Sequence, residues 1–459
     1  MNLFKTYLTD IKNKITKHKK ELNFDPKEDL NDFIVETPPE EFDFDFSSNV
    51  AMILAKRTKD NPKNIAEKIK NILKKESKDF SEISIAGPGF LNFKLTNKAW
   101  IKIIKDILKS NKSYGSEKNN KKFNIEFVSA NPTGPMHVGH CRGAIFGDVL
   151  ANLLKFNGNK VTKEFYVNDY GKQVDDFVRS VFFRMREIKF REAFPNENDL
   201  YPGKYIIDIA NKIINKKKKI DLKDFKKIYK LLKDESIKSS MNLVKSDLKQ
   251  LGINHDYFFY ETKLVNENLV NKTVNKLKKN NYVVEGYLDP PKGESDTDWK
   301  KIKRLIFKST LFGDDLDRAL QKNDGSWTYF ANDMAYHSAK ISKKYDQLIN
   351  VLGADHTGYI KRISAAVKAI SNNKTHLVCK VCQLVKLYKN GKPYKMSKRL
   401  GDFVSVNDLL QEVNKDAIRF MMLNRGNDVE LDFDFNKVLE KSKENPVYYV
   451  QYSYARINS

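Results

Sequence analysis

The pattern of apolar and polar positions divides the start of the chain into helix and strand segments. The first 25 residues place leucine and isoleucine side chains on one face of a helix. A second helix, two short strands around a Gly-Pro-Gly turn and a third helix are predicted at residues 64–75, 83–95 and 98–108. The polar run 110–122 is typical of a linker. We therefore expect residues 1–115 to form a separate α+β module.

The next part of the chain alternates strands and helices. Strand, helix, strand and helix patterns follow one another at residues 123–129, 137–156, 161–167 and 170–186. Residues 347–352 form a further apolar run of strand length. Such β-α-β alternation begins a parallel, doubly wound sheet, so we predict an α/β fold with a Rossmann-like domain over residues 120–405. Residues 187–280 are rich in lysine and helical, and we interpret them as a largely helical insertion in that sheet.

Turn signals and a change to helical patterning mark the last third of the chain. Strand-like segments and Asp-Gly or Asn-Gly hairpin turns occur at residues 282–288, 305–309, 324–325 and 390–391. From Val406 onward the pattern is mainly helical. We expect a helical connector over residues 406–444 and the start of another helical domain over residues 445–459.

Composition narrows the class of protein. No run approaches the roughly 20 apolar residues of a membrane-spanning helix, and the start lacks the apolar segment of a secretory signal. With only three cysteines, the chain is expected in a reducing compartment, the cytoplasm, without membrane contact. The net charge of +24 favours binding to a polyanion such as RNA. Lysine is abundant along the whole chain, however, so charge alone gives nucleic-acid binding only about even odds. Cys379 and Cys382 form a lone C-x-x-C, for which we predict no structural zinc and no metal site.

A histidine motif, His137-Val-Gly139-His140, lies between a predicted strand and a predicted helix. A helix N-terminus can bind phosphate through its unpaired amides, and Gly139 would let a nucleotide approach the backbone. The two imidazoles could donate hydrogen bonds to phosphate oxygens as charge develops. Two histidines with purely structural contacts are the alternative. The strand, turn, glycine and helix around the motif favour ATP binding.

A lysine motif, Lys395-Met396-Ser397-Lys398, follows the Asn-Gly turn at residues 390–391. Two ammonium groups on a loop could hold the phosphates of ATP and stabilise the leaving pyrophosphate. A solvated basic turn is the alternative. The first residues of the two motifs, 137 and 395, lie 258 positions apart, a separation that suits the two halves of a nucleotide-binding sheet.

Acidic residues near these motifs suggest a cationic substrate. Glu126 ends a predicted strand, Asp333 follows Tyr329 by four positions, and Asp355-His356 comes after the apolar run 347–352. A guanidinium is best held by carboxylates in bidentate geometry. Structural caps explain these carboxylates equally well on the residue pattern alone.

The motifs together resemble those of arginyl-tRNA synthetase, a class I aminoacyl-tRNA synthetase. The similarity covers nearly the whole chain and includes the histidine and lysine motifs and the blocks at residues 87–93, 126–143, 168–173, 313–318, 324–337, 353–359 and 445–452. It implies an arginine–tRNA ligase that activates L-arginine with ATP and Mg²⁺ and transfers it to arginine tRNA. It also implies a tRNA-binding role for residues 1–115 and a monomer. A non-catalytic RNA-binding paralogue and a class I synthetase for another amino acid are the alternatives.

The resemblance assigns roles by position. It implies arginine contacts at Glu126, Asn131, His137, Tyr329, Asp333 and Asp355, with a looser match at Asp355 and His356. It implies ATP contacts at His137, Gly139, His140, Lys395, Met396, Ser397 and Lys398, of which the histidines and lysines would be catalytic. Family members continue through a complete anticodon-binding bundle, whereas Ser459 falls in the first helix of that bundle. We therefore expect a chain shortened within this domain.

Overall fold

The structure, a computed structural model, describes residues 3–24, 30, 32–288, 302–394 and 404–459. The chain forms two compact units. One comprises residues 1–119 with 156–158, and the other comprises residues 120–155 with 159–459. No helix in the described ranges combines the length and apolar character needed to cross a bilayer.

The first unit packs helices on an antiparallel sheet. Its elements are α1 (Leu3–Lys17), β1 (Val35–Glu36), β2 (Phe46–Ser48), α2 (Val50–Thr58), α3 (Pro62–Glu76), β3 (Phe80–Ala86), β4 (Phe90–Leu95) and α4 (Asn97–Ser110). The strands pair in the order β1-β2-β4-β3. Helix α3 begins at Pro62, whose fixed φ suits the first helical position, and the Asn61 side chain caps it by accepting from the Lys63 amide. The isoleucine face that the sequence predicts for α3 is buried in the core of this unit.

The second unit contains the remaining elements. Its strands are β5 (Lys122–Glu126), β6 (Lys160–Val167), β7 (Tyr257–Tyr260), β8 (Val283–Gly286), β9 (Arg304–Phe307), β10 (Arg318–Ala319), β11 (Gln347–Gly353), β12 (His376–Cys382), β13 (Val385–Lys389), β14 (Lys392–Pro393) and β15 (Leu431–Asp434). Its helices are α5 (Val138–Phe156), α6 (Lys172–Phe190), α7 (Lys204–Lys216), α8 (Phe225–Gln250), α9 (Thr262–Asn266), α10 (Leu269–Lys279), α11 (Tyr329–Ser342), α12 (Ile360–Ser371), α13 (Val406–Glu412), α14 (Lys415–Met421), α15 (Phe435–Leu439) and α16 (Pro446–Asn458).

A five-stranded parallel sheet forms the centre of this unit, in the order β12-β11-β5-β6-β7. The first strand along the chain, β5, is the middle one. The chain builds outward through β6 and β7 on one side and through β11 and β12 on the other. The direction of winding reverses between β5 and β11, and ligands of doubly wound sheets bind outside the carboxyl ends of the strands at such a point. The predicted α/β, doubly wound fold class is confirmed.

The segment predicted as a helical insertion, residues 187–280, also contributes a strand to the main sheet. Helices α7, α8, α9 and α10 lie in it, but Tyr257–Tyr260 forms β7, which pairs in parallel with β6. This strand is four aromatic residues long, so it shows no alternation of apolar and polar positions. Phe259 is buried, and its ring lies 4.8 Å from that of Tyr336. Burial of aromatic rings on the sheet explains why this short segment forms a strand.

Two smaller sheets complete the unit. Strands β8, β9 and β10 form an antiparallel sheet, and β14, β13 and β15 form another in which β13 and β15 are parallel. The Asn390-Gly391 turn joins β13 to β14 as predicted, and both turn residues have positive φ, 54° and 72°. Strand β15 lies within the stretch expected to be a helical connector, residues 406–444. It is four residues long and acquires its strand form by pairing with β13.

Helix α5 packs closely against Phe127, the residue after β5, and is tied to distant parts of the unit. A Cβ at Gly147 would lie 2.3 Å from Cγ of Phe127, so only glycine allows this approach of the helix to the Phe127 ring. The buried guanidinium of Arg142 donates to the carbonyl oxygens of Gln383, Gly426 and Val429 at 3.1, 2.7 and 2.6 Å. These bonds attach α5 to the segments before β13 and β15.

A buried ion cluster also holds α5. Asp148 accepts from Lys163 Nζ on β6 at 2.6 Å and from Arg419 Nη2 on α14 at 2.7 Å. The Asp148 and Lys163 side chains are both buried. Each charge therefore depends on its partners for solvation.

Candidate functional site

A cavity of about 480 Å³ opens at the carboxyl edge of the parallel sheet. Its walls come from the ends of β5, β6 and β11, from the residue after β7, and from α11 and α12. The lining residues are Glu126, Val128, Ser129, Tyr166, Asn168, Glu261, Tyr329, Asn332, Asp333, Asn350, Val351, Leu352, Gly353, His356, Tyr359 and Ile363. This is the position at which the strand order reverses, where a doubly wound sheet binds its ligand.

A strained turn places Glu126 at the cavity. Val128 and Ser129 follow β5 with φ values of 70° and 42°, a region that costs a residue with a side chain free energy and that a β-branched residue rarely adopts. In this conformation Ser129 Oγ donates to Glu126 Oε1 at 3.1 Å and accepts from the Tyr166 amide at 3.1 Å. The Ser129 hydroxyl, itself fixed by the Tyr166 amide, thus holds the Glu126 carboxylate in one orientation at the strand end.

A buried cation lies behind Glu126. Lys340 on α11 donates from Nζ to Glu126 Oε2, and a second Nζ bond reaches Asn350 Oδ1 on β11 at 3.2 Å. The same ammonium lies 4.3 Å from the ring centroid of Tyr336. The charge of Glu126 is therefore compensated from within the protein.

Asp333 presents its carboxylate to the cavity from the first turns of α11. Thr328 caps this helix by accepting from the Ala331 amide, and Tyr329 and Asp333 lie four residues apart on one face. The Asp333 side chain is 31% exposed. Burial by itself raises the pKa of Asp333, but interactions with His337, Tyr359 and the nearby charge of Lys340 lower this pKa by more.

Glu261 is a third carboxylate in the cavity, and it is absent from the residues that the sequence identifies. It follows β7 directly, is only 4% exposed, and accepts from Asn332 Nδ2 at 3.1 Å. Burial raises the pKa of Glu261. An acidic residue at the carboxyl end of a strand would have been a signal, but β7 itself is not predicted from the sequence.

Three of the expected arginine contacts lie outside the cavity lining. Asn131 donates from Nδ2 to Gln173 Oε1 at 2.8 Å. Asp355 is 81% exposed and lies 3.6 Å from Nε2 of its neighbour His356, which does line the cavity. His137 belongs to the histidine motif at the start of α5. Glu126, Tyr329 and Asp333 are brought together.

The histidine motif places two half-buried imidazole rings in contact at the N-terminus of α5, with their planes tilted by 30°. The ring centroids of His137 and His140 are 3.8 Å apart. The Gly139 amide donates to Nδ1 of His137 at 3.1 Å, and the His137 amide donates to Nδ1 of His140 at 3.2 Å. Because each Nδ1 accepts a backbone hydrogen bond, the proton of each neutral ring resides on Nε2. A Cβ at Gly139 would lie 2.9 Å from the His137 ring.

The sequence predicts that the first backbone amides of α5 face a phosphate, but in the structure they donate to groups of the chain itself. The Val138 amide donates to the Val404 carbonyl at 3.0 Å, the Gly139 amide to His137 Nδ1, and the His140 amide to the His137 carbonyl at 2.9 Å. The Val138 amide is thus engaged by the segment 404–406, and the Gly139 and His140 amides are engaged by His137. A phosphate bound here would rely on imidazole donors.

The segment 404–406 pairs with residues 136–138 of the histidine motif and the residue before it. Besides the Val138–Val404 bond, the Val406 amide donates to the Met136 carbonyl at 3.1 Å, and His137 and Ser405 form an isolated bridge. Asp247 on α8 accepts from the Met136 amide at 2.9 Å. Lys395, Met396, Ser397 and Lys398 lie outside the described residues, whereas the segment that follows them is attached to the histidine motif.

In the described part of the chain, no group of three or more His, Cys, Asp or Glu side chains is arranged so that it could bind a metal ion. Cys379 and Cys382 both lie on β12. Burial raises the pKa of each thiol to about 11. The C-x-x-C is therefore held as neutral thiols within a strand.

Two family models match the chain. Residues 103–459 match the model described as tRNA synthetases class I (R), catalytic domain. Residues 6–95 match the arginyl tRNA synthetase N terminal domain. The resemblance identified from the sequence motifs is thus confirmed over both units.

Curated relatives and a solved structure agree with these matches. An arginine–tRNA ligase of Pelagibacter ubique (strain HTCC1062) is 54% identical over 462 residues, covering 100% of this chain and 80% of the relative. One of Bartonella bacilliformis is 45% identical over 468 residues, covering 100% and 79%. The arginyl-tRNA synthetase of Thermus thermophilus has the same fold, with a TM-score of 0.66 at 18% identity over 98% of this chain and 80% of that one. This chain belongs to the arginyl-tRNA synthetase family of class I aminoacyl-tRNA synthetases.

Proposed function

We propose that this chain is an arginine–tRNA ligase. It uses ATP to convert L-arginine into arginyl-adenylate and then transfers the arginyl group to the 2′-hydroxyl of the terminal adenosine of arginine tRNA. The observation that carries the proposal is an acidic cavity at the carboxyl edge of the parallel sheet, in a chain 54% identical to an arginine–tRNA ligase.

The cavity suits a guanidinium. Three carboxylates, Glu126, Glu261 and Asp333, line it, and one buried ammonium, that of Lys340, compensates Glu126. A planar cation with several donors can satisfy carboxylates that a single ammonium would leave partly unpaired. Asp333 is the carboxylate that we assign to the guanidinium. Arginine contacts at Asn131, His137 and Asp355 stay predictions from the resemblance.

The first chemical step needs positioning and charge stabilisation more than a general base. An oxygen of the arginine carboxylate attacks the α-phosphorus of ATP, and the bond from that phosphorus to the bridging oxygen of pyrophosphate breaks. The Nε2–H groups of His137 and His140 would donate to phosphate oxygens as negative charge builds up. Lys395 and Lys398 would neutralise the departing pyrophosphate, and Mg²⁺ would bind with the triphosphate.

The second step moves the arginyl group to RNA. The ribose 2′-oxygen of the tRNA attacks the carbonyl carbon of the adenylate, and AMP leaves. The net charge of +24 favours association with a polyanion. The N-terminal unit, which matches the arginyl tRNA synthetase N terminal domain, is the part that we assign to tRNA binding.

Pyrophosphate exchange tests the proposal directly. We expect ATP to incorporate labelled pyrophosphate when arginine and arginine tRNA are both present, and lysine to give no exchange. A matched control carries His137→Ala and His140→Ala together, which should abolish exchange while the chain stays folded. Exchange with lysine would contradict the substrate assignment. Binding of arginine tRNA with no exchange under any condition would favour the non-catalytic RNA-binding alternative.

A further inference from the structure

Beneath the cavity, an unbroken series of contacts between buried side chains runs from the carboxylate of Glu126 to the backbone carbonyl of Asp333. Lys340 Nζ bonds both Glu126 Oε2 and Asn350 Oδ1. Asn350 Nδ2 lies 3.0 Å from His337 Nε2, and His337 Nδ1 lies 2.9 Å from the carbonyl oxygen of Asp333 and 3.6 Å from its Oδ1. The three connecting residues, Lys340, Asn350 and His337, are all buried. We call this series the carboxylate relay.

The direction of every hydrogen bond in the relay follows from its lysine. An ammonium only donates, so the Asn350 atom facing Lys340 must be the carbonyl oxygen. The amide nitrogen of Asn350 then faces His337 and donates to Nε2. Since Nε2 accepts, the neutral imidazole carries its proton on Nδ1, which donates to the Asp333 carbonyl. One buried charge therefore determines both an amide orientation and a tautomer.

The arrangement gives the two carboxylates different tasks. Glu126 is paired with the relay's cation, and its other oxygen accepts from Ser129 Oγ at 3.1 Å. Asp333 lies at the other end of the relay, where Nδ1 of His337 is 3.6 Å from its Oδ1, and its carboxylate lines the cavity. The register of the sheet places Asn350 beside Glu126, because Asn350 on β11 is the partner of Glu126 on β5.

We propose that Lys340, Asn350 and His337 are positioning residues that hold Glu126 and Asp333 in the orientation that selects a guanidinium over an ammonium ion. This inference rests on the proposed function and deepens it. Buried polar networks are rigid when every member is satisfied, and losing one member leaves its neighbours with unmet donors or acceptors. Loss of the relay should therefore raise the KM for arginine more than the KM for ATP.

Substitution of Asn350 tests the relay by kinetics. Asn350→Leu removes both of its hydrogen bonds at similar volume, and we expect the arginine KM in pyrophosphate exchange to rise about tenfold or more, equivalent to about 1.4 kcal/mol. The ATP KM should change less than about twofold, and the preference for arginine over lysine should fall. Asn124→Leu is the matched control, because Asn124 is a buried asparagine on the neighbouring strand β5 that bonds Glu164 instead. Equal effects of Asn350→Leu and Asn124→Leu on the arginine KM would overturn the proposal.

A spectroscopic arm is independent of activity. With ¹⁵N-labelled histidine, the wild-type ring of His337 should show a protonated Nδ1 and an unprotonated Nε2 at about pH 7. The His337→Gln variant identifies its signals among the seven histidines. Asn350→Asp replaces the donor to Nε2 by an acceptor, so the tautomer signature should change. A wild-type ring protonated on Nε2 would overturn the relay, whereas absent arginine-dependent exchange in a wild type with the expected tautomer would count against the proposed function alone.

Discussion

Replacing Asp333 by alanine removes a carboxylate that lines the cavity and is partly open to solvent. Its side chain is 31% exposed, so water can replace part of the lost interaction, and the cost should stay below that of a fully buried ion pair. A hydrogen bond to a charged group contributes about 1.5–3 kcal/mol. At 1.4 kcal/mol per factor of ten, the arginine KM should rise about 10- to 150-fold.

The assay is arginine-dependent pyrophosphate exchange with arginine tRNA present, with arginine and ATP varied separately. Asp333→Asn keeps the size of the side chain and should show most of the same increase, which would identify charge as the cause. Asp315→Ala is the control, since Asp315 is an exposed aspartate that pairs with Lys361 outside the cavity lining. An arginine KM that is unchanged in Asp333→Ala would refute the assignment of Asp333 to the guanidinium.

Three further predictions concern stability. Asp148→Asn leaves the buried ammonium of Lys163 without its carboxylate and should destabilise the second unit by about 3–5 kcal/mol, measured by urea unfolding; a loss below about 1 kcal/mol would show that water reaches the cluster. Val128→Gly relieves a backbone with φ of 70° and should raise stability by about 1 kcal/mol, seen as a higher unfolding midpoint rather than a lower one. Burial raises the pKa of Asp247 to about 6. Between about pH 4 and pH 6 the folded chain therefore keeps a proton on Asp247 that the unfolded chain has lost. The free energy of unfolding should fall as pH rises through that window, by about 3 kcal/mol at most. Asp247→Asn, which can still accept from Met136, should flatten this dependence in thermal unfolding from pH 4 to pH 8, and an unchanged slope would contradict it.

Long, strongly patterned elements could be predicted from the sequence, and short ones could not. Helix α5 and strand β6 have boundaries within a residue of those expected, because an apolar face or a terminal Asn-Gly marks each end. Strands β7 and β15 have four residues each and depend on their partners in the sheet, so no local pattern reveals them.

The same limit applies to the site. Glu126, Tyr329 and Asp333 could be predicted because each stands in a recognisable motif at a strand end or helix start. Glu261 follows an unrecognised strand, and Asn350 becomes part of the site only through the register of β11 on β5. Residues whose importance arises from such long-range pairing carry no local signal.

The buried guanidinium of Arg142 has a consequence for synthesis of the chain. Its three carbonyl acceptors are 241, 284 and 287 residues further along. Since a ribosome adds about 5–20 residues per second, α5 would wait roughly 12–60 s after emerging before those carbonyl groups exist. During that interval the guanidinium lacks these acceptors, and burying it without them would cost free energy. The packing of α5 on the parallel sheet should therefore be completed late in synthesis. Nascent chains stopped before residue 426 should be sensitive to protease around α5.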